Sequence, residues 1–93
     1  MFDLSGKKVL VTGATGGIGG AIAKAMHKAG ADVGLSGRNE DKLKQLAGEL
    51  GSRAHVFPAD LSTSDGIAAL VKAAEETMGQ IDILVNNAGL TRD

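Results

Sequence analysis

The sequence predicts an α/β fold in which a parallel sheet is doubly wound, with helices on both faces. Three observations carry that expectation. Four short apolar runs rich in β-formers recur along the 93 residues. Between them lie three longer segments whose apolar residues repeat at helical spacing. The connections are short, with glycines and other turn residues at the ends of the segments. Strands that alternate with helices in this way run parallel, joined by right-handed crossovers. One domain, residues 1–93, accounts for the whole length, near the lower end of the usual ~50–250 range.

Each element has its own signal. Lys8-Val9-Leu10-Val11-Thr12 is a short apolar run ended by Gly13, the pattern of a strand buried on both faces. Ile18, Ile22, Met26 and Ala29 then recur at helical spacing, and Gly30 closes that helix. Asp32–Ser36 reads as a weaker second strand. Leu43, Leu46, Ala47 and Leu50 mark one face of the second helix, with Asn39 as N-cap and Gly51 as stop. Ala54-His55-Val56-Phe57 is a third strand, ended by Pro58. Ile67, Leu70, Val71, Ala74 and Met78 stripe the third helix, which starts at Ser62 or Ser64 and stops at Gly79. Ile81–Val85 is the fourth strand.

Composition excludes several classes of function. Ten Lys+Arg against eleven Asp+Glu give a net charge of −1. That balance lacks the clustered basic residues that nucleic acid or an anionic membrane requires. No apolar run approaches the roughly 18–20 residues of a membrane span. The start, Met1-Phe2-Asp3-Leu4, has no basic and then apolar region of a signal peptide. Without cysteine there is neither a disulfide framework nor a thiolate metal site, and a cytoplasmic location is expected. Fourteen glycines, about twice the usual share, show no collagen-like period and serve turns instead. A chain this short buries only about 60–65% of its unfolded surface, so its stability margin is thin.

Gly13-Ala14-Thr15-Gly16-Gly17-Ile18-Gly19 lies between the first strand and the first helix. A helix start offers unpaired N–H groups and a partial positive charge, and glycines let the backbone approach an anion without a Cβ in the way. A pyrophosphate belongs in such a place. The spacing differs from the best-known dinucleotide fingerprint, G-x-G-x-x-G.

These residues resemble a family. Thr12-Gly13-x-x-x-Gly17-Ile18-Gly19 matches the TGxxxGIG signature of short-chain dehydrogenase/reductases. Asn86-Asn87-Ala88-Gly89 matches their NNAG signature, and Asp60-Leu61 a further adenine-side motif. Each follows a predicted strand. Within the family the chain looks most like 3-oxoacyl-acyl-carrier-protein reductases, including the Thr91-Arg92-Asp93 after the Asn-Ala-Gly-Leu run. The resemblance implies a Rossmann-type sheet with strand order 3-2-1-4. It also implies that residues Gly13 to Gly19 wrap a cofactor's pyrophosphate and adenosine ribose. Asp60 would accept from the adenine amino group, with backbone contacts from Leu61. Asn87, followed by Ala88 and Gly89, would meet the nicotinamide-side ribose, while Asn86 braces the sheet. Taken alone, Asp60 reads as a turn carboxylate and the asparagines as turn residues. Their joint register with the glycine turn favours the ligand.

NADPH is expected over NADH on physical grounds. An acceptor for the ribose 2′-hydroxyl should stand roughly 20 residues past the glycine turn, at the end of the second strand. Gly37 occupies that place, and Arg38 follows, able to make a forked contact with a 2′-phosphate. One departure stands against this. Many NADPH-using relatives carry a basic residue just before the middle glycine, where this chain has Gly16.

Other polar groups read as structural. His27 and His55 are isolated, with no second ligand at metal spacing, so no metal site is expected. Glu40, Asp41 and Glu49 belong to the solvated face of a lysine-rich helix, and Glu75-Glu76 are exposed charge. Ser62, Thr63 and Ser64 suit a helix start better than a nucleophile.

The family's reaction implies a tyrosine that protonates a carbonyl, a lysine that lowers its pKa and a serine that orients substrate, all downstream of NNAG. This sequence contains no tyrosine. No catalytic residue is therefore assigned. The chain is expected to be the N-terminal, cofactor-binding part of a longer, homo-oligomeric NADPH-dependent reductase acting on an acyl-carrier-protein-linked substrate, and inactive by itself. Two alternatives stay open: a stand-alone nucleotide-binding module, and a sugar-nucleotide epimerase, whose glycine spacing Gly13, Gly16 and Gly19 also fit. The Asn86–Gly89 run argues against the latter.

Overall fold

The computed structural model describes residues 3–87. Four strands, β1 (Lys8–Thr12), β2 (Asp32–Gly37), β3 (Ala54–Pro58) and β4 (Ile83–Asn86), alternate with helices α1 (Gly17–Lys28), α2 (Glu40–Leu50) and α3 (Ser64–Met78). All strand pairs are parallel and the sheet order is β3-β2-β1-β4. The expected α/β architecture and strand order are both present.

Strand alternation divides the core in two. Successive side chains point to opposite faces. Val9, Val11, Val33 and Leu35 meet Ala23 of α1 and Leu43 and Leu46 of α2 on one face. Leu10 and Phe57 meet Leu70, Ala74 and Met78 of α3 on the other. Between them Gly34 leaves room in the middle of β2. A Cβ there would sit 2.9 Å from Phe57, 3.0 Å from Met78 and 3.1 Å from Leu10.

Several boundaries and faces differ from the sequence reading. The cap of α3 is Thr63, whose Oγ1 accepts from the Gly66 N–H at 3.0 Å, rather than Ser62 or Ser64. The Ser62 N–H instead donates to Asp60 Oδ1 at 2.9 Å, which closes a turn ahead of the helix. β4 begins at Ile83 because Asp82 meets β1 first, its N–H donating to the Lys8 carbonyl while its carboxylate accepts from the Lys8 N–H, both at 2.8 Å. Ile18 is 63% exposed and Ile67 48% exposed, although both fit an apolar stripe. In α1 the buried residues are the small Gly19 and Ala23, so the helix lies close to the sheet and Ile18 turns outward. Asn39 caps α2 as expected, accepting from the Lys42 N–H at 3.1 Å.

One tie was not anticipated. Arg53 adopts a positive φ of 63° in the α2–β3 connection. From there its guanidinium donates to the carbonyls of Ala31 at 2.7 Å and His27 at 3.3 Å, pinning the end of α1 to the start of β2.

A buried residue beneath α3 and an outward-facing residue of its stripe should behave differently. Leu10→Ala, beneath α3 and fully buried, should cost about 3–4 kcal/mol through lost burial and a cavity. Ile67→Ala, half-exposed on α3 itself, should cost under about 1 kcal/mol. Urea midpoints of the two variants check this, and equal losses would contradict the assigned face.

Candidate functional site

The carboxyl ends of the four strands converge, the position at which open parallel α/β sheets bind ligands. The connection after β1 forms a cradle. Gly13 takes a φ of 65°, which a side chain rarely adopts, and its carbonyl accepts from the Gly16 N–H at 3.2 Å. That same carbonyl accepts from Asn87 Nδ2 at 3.2 Å. A Cβ on Gly19 would lie 2.0 Å from it, so only glycine fits there. At Gly17, by contrast, a Cβ would meet nothing within 4 Å. Packing demands Gly19 but not Gly17.

The helix ends are treated unequally. α2 and α3 have side-chain caps, Asn39 and Thr63, and acidic residues in their first turns. α1 has Gly16 at its cap position, with no side-chain cap and no acid in its first turn. Uncapped N–H groups with the dipole's positive end attract an anion. The start of α1 is thus the helix end that suits a phosphate.

A cleft of about 570 Å³ opens beside this turn. Gly13, Thr15, Gly16, Arg38, Asp60 and Leu61, all singled out in the sequence, line it. Backbone bonds hold its rims together, from Ala14 N–H to the Ser36 carbonyl at 3.0 Å and from Ala59 N–H to the Gly37 carbonyl at 2.9 Å. Gly37 lines the floor, and a Cβ there would make only ordinary contacts with Thr15 and Leu43 at 3.5–3.7 Å. The hydroxyl and N–H of Ser62, with a smaller contribution from the Arg38 charge, hold the exposed Asp60 carboxyl below its ordinary range. It is therefore ionised near neutral pH, an acceptor facing the cleft.

Other singled-out residues lie elsewhere. Ala14 and Gly17 line an adjoining groove between α1 and α2, and Ile18 points to solvent. Asn87 is 2% exposed. Its N–H donates to Thr12 Oγ1 at 2.9 Å, and its Oδ1 is buried without a partner among the described residues. Asn86 Oδ1 accepts from the Thr12 hydroxyl at 3.2 Å, the bracing contact expected of it. Ala88 and Gly89 lie outside the described residues, as do Thr91, Arg92 and Asp93.

His27 and His55 stand apart from the cleft. His27 Nε2 lies 2.7 Å from the Ser52 carbonyl, and His55 lies 3.9 Å from Asp32. No metal-binding cluster occurs among the described residues. No helix among them is long and apolar enough to cross a membrane.

Sequence reasoning missed Asn39 and Lys42 as cleft residues, having read Asn39 as an N-cap and given Lys42 no role. The available signal was position, since both lie within four residues of Arg38. Chemically, the cleft offers a phosphate cradle, a carboxylate and cations on one rim, which suits a nucleotide carrying phosphates.

Comparisons with known proteins agree with this geometry. The residue pattern of the family described as short chain dehydrogenase matches residues 7–93. The chain is 56% identical to nodulation protein G of Rhizobium sp. (strain N33), spanning 100% of this chain and 38% of that protein. It is 46% identical to the 3-oxoacyl-acyl-carrier-protein reductase FabG of Rickettsia bellii (strain RML369-C), over 100% of this chain and 37% of that one. In structure it resembles the 3-ketoacyl-acyl-carrier-protein reductase of Brucella melitensis complexed with NADH. The TM-score is 0.84 and the identity 39%, over 88% of this chain and 34% of the other. The chain thus spans under two fifths of the length of these proteins.

The glycine turn yields a paired test. Gly19→Ala should lower stability by at least about 2 kcal/mol, because its Cβ collides with the Gly13 carbonyl. Gly17→Ala should leave the melting temperature unchanged or raise it slightly, yet weaken binding of a dinucleotide cofactor by crowding the anion's approach. Thermal melts and ligand titrations separate the two effects. Unaltered binding in Gly17→Ala would mean that this glycine serves the chain rather than a ligand.

Proposed function

The chain belongs to the short chain dehydrogenase family, and on that premise we propose that it is the NADPH-binding part of a carbonyl reductase. When bound, the cofactor would supply a hydride to a carbonyl carbon. The residues of this chain bind and orient it. The start of α1 and the Gly13–Gly19 turn hold the pyrophosphate. Asp60 accepts from the adenine amino group, with Leu61 beside it. Asn87 fixes the Gly13 carbonyl, and by the family resemblance Asn87, Ala88 and Gly89 would serve the nicotinamide-side ribose.

The single observation behind the cofactor choice is Arg38. It follows Gly37 at the end of β2 and lines the cleft, and the last residue of that strand is a glycine rather than a carboxylate. A carboxylate there would bond a 2′-hydroxyl and repel a 2′-phosphate; an arginine does the reverse. Kinship does not decide the matter, since the Brucella relative is complexed with NADH.

A 3-oxoacyl chain on acyl-carrier protein is the proposed substrate class of the whole reductase, supported by the likeness to two such reductases. A cytoplasmic location and a homo-oligomeric parent belong to the same proposal. The family resemblance gives the protonating role to a tyrosine, and this sequence holds none. The chain by itself therefore binds without reducing, which favours a non-catalytic nucleotide-binding role for it in isolation.

Two measurements test this reading. The chain should bind NADPH about tenfold or more tightly than NADH, and Arg38→Ala should erase most of that gap. Equal affinities in the unaltered protein would defeat the assignment.

The second concerns the chain in isolation. β4 is an edge of the described sheet, and Leu84 on it is 57% exposed. Uncovered apolar edges pair with other chains. The purified chain should self-associate and leave acetoacetyl thioesters unreduced above background. A monodisperse monomer that oxidises NADPH with such a thioester would overturn this.

A further inference from the structure

The first turn of α3 holds a glycine that local preferences disfavour. Thr63 is the cap, and its Oγ1 accepts from the Gly66 N–H at 3.0 Å. Alanine stabilises a helix more than glycine does at such a place. A glutamate or glutamine three residues after a capping threonine would also reach back to the cap's own N–H. Gly66 is neither. The reason lies outside the helix.

α3 starts against the connection that precedes it. A Cβ on Gly66 would collide with the Asp60 carbonyl oxygen. It would also stand 3.1 Å from the Asp60 carbonyl carbon and 3.2 Å from Thr63 Oγ1. A backbone carbonyl cannot swing aside as the end of a flexible side chain does, so the helix start or the Asp60 peptide would have to move. Leu70, Ala74 and Met78 anchor the helix in the core, which leaves the Asp60 peptide.

That peptide belongs to a wall of the cleft, where Asp60, Leu61 and Ser62 all lie. Upstream, the wall is tied to β2 by the bond from the Ala59 N–H to the Gly37 carbonyl at 2.9 Å. Downstream, it is seated on Gly66. Between these anchors the Asp60 carboxylate accepts from Ser62, which takes part of its acceptor capacity and leaves the rest for a donor in the cleft.

We propose that Gly66 is a positioning residue for the adenine end of the cofactor, acting through the Asp60 backbone. By letting α3 approach, it sets where the Asp60 carboxylate meets the base. This rests on the cofactor reading above and deepens it. A hydrogen bond weakens steeply as its geometry departs from the straight line. A displaced Asp60 therefore loses the base while keeping its charge.

The test uses the full chain and two probes, NADPH and its analogue with hypoxanthine in place of adenine, which has no exocyclic amino group to donate. The unaltered chain should bind NADPH about tenfold or more tightly than the analogue, the worth of a hydrogen bond to a charged acceptor. Asp60→Ala should abolish that ratio. Gly66→Ala should cut it to about threefold or less, the worth of a weakened bond. A glycine that served the fold alone would lower binding of both probes alike, or only the melting temperature, and keep the ratio.

An intact ratio in Gly66→Ala, with the ratio still lost in Asp60→Ala, would overturn the role of Gly66 and leave the cofactor reading standing. A ratio near one in the unaltered chain would remove the Asp60 assignment and this proposal together. Hydrogen exchange in the unaltered chain decides the case if Gly66→Ala does not fold. AMP should slow exchange of the Gly66 N–H, and ribose 5-phosphate, which lacks the base, should not. Equal protection by the two, or none by AMP, would overturn the proposal.

Discussion

A close backbone contact sits where the first strand becomes the first helix, and the site depends on it. The Gly13 carbonyl is held between the Cα of Gly19 and the amide of Asn87, with the Gly16 N–H as a further donor. This one oxygen sets how near α1 lies to the sheet. The approach then dictates that the helix buries small residues, Gly19 and Ala23, and turns Ile18 away. It also ties β4 to β1 beyond their ladder, because Asn87 reaches Gly13 from the end of β4 while its N–H bonds Thr12. The cradle and the strand register are thus consequences of one contact, and a side chain at Gly19 would disturb both.

Much of this was legible in the sequence. Strand alternation and helical stripes specify packing against a sheet, and the three parallel pairings follow from short connections between alternating elements. The glycine turn was legible because glycine at a positive φ or in a tight contact has no substitute. What escaped were features set by tertiary distance. Ile18 and Ile67 match the helical period, but whether a stripe position is covered depends on how close the helix lies and what else packs there. Thr63 rather than its serine neighbours caps α3 because the Asp60–Ser62 turn fixes the chain direction first. The role of Arg53 needed its positive φ, which its residue type does not announce.

Within the site, the residues legible from motifs are those whose backbone matters, such as Gly13 and Gly16. Those missed act through side chains whose reach only the fold reveals. Asn39 was recognised as a cap, and that role is real. It does not exclude a place on the cleft rim, since capping uses one oxygen and leaves the rest of the amide exposed. A lysine in a lysine-rich helix gives no local sign of lining a cleft.

The two ends of the sheet differ in how their polar groups are settled. At the amino end Lys8 meets Asp32 at 2.6 Å, its N–H bonds Asp82, and both carboxyls are held below their ordinary range by those contacts. Charges there serve the chain itself. At the carboxyl end, among the described residues, Arg38 and Lys42 lack ion-pair partners and Ser36 Oγ and Asn87 Oδ1 are buried without hydrogen bonds. Unsatisfied buried polar groups cost about 1–3 kcal/mol each. A small domain tolerates such costs poorly unless something outside it restores them. Among the described residues, the buried polar atoms without partners thus lie at this end, beside an uncapped helix: a hydroxyl oxygen, and an amide oxygen that needs a donor.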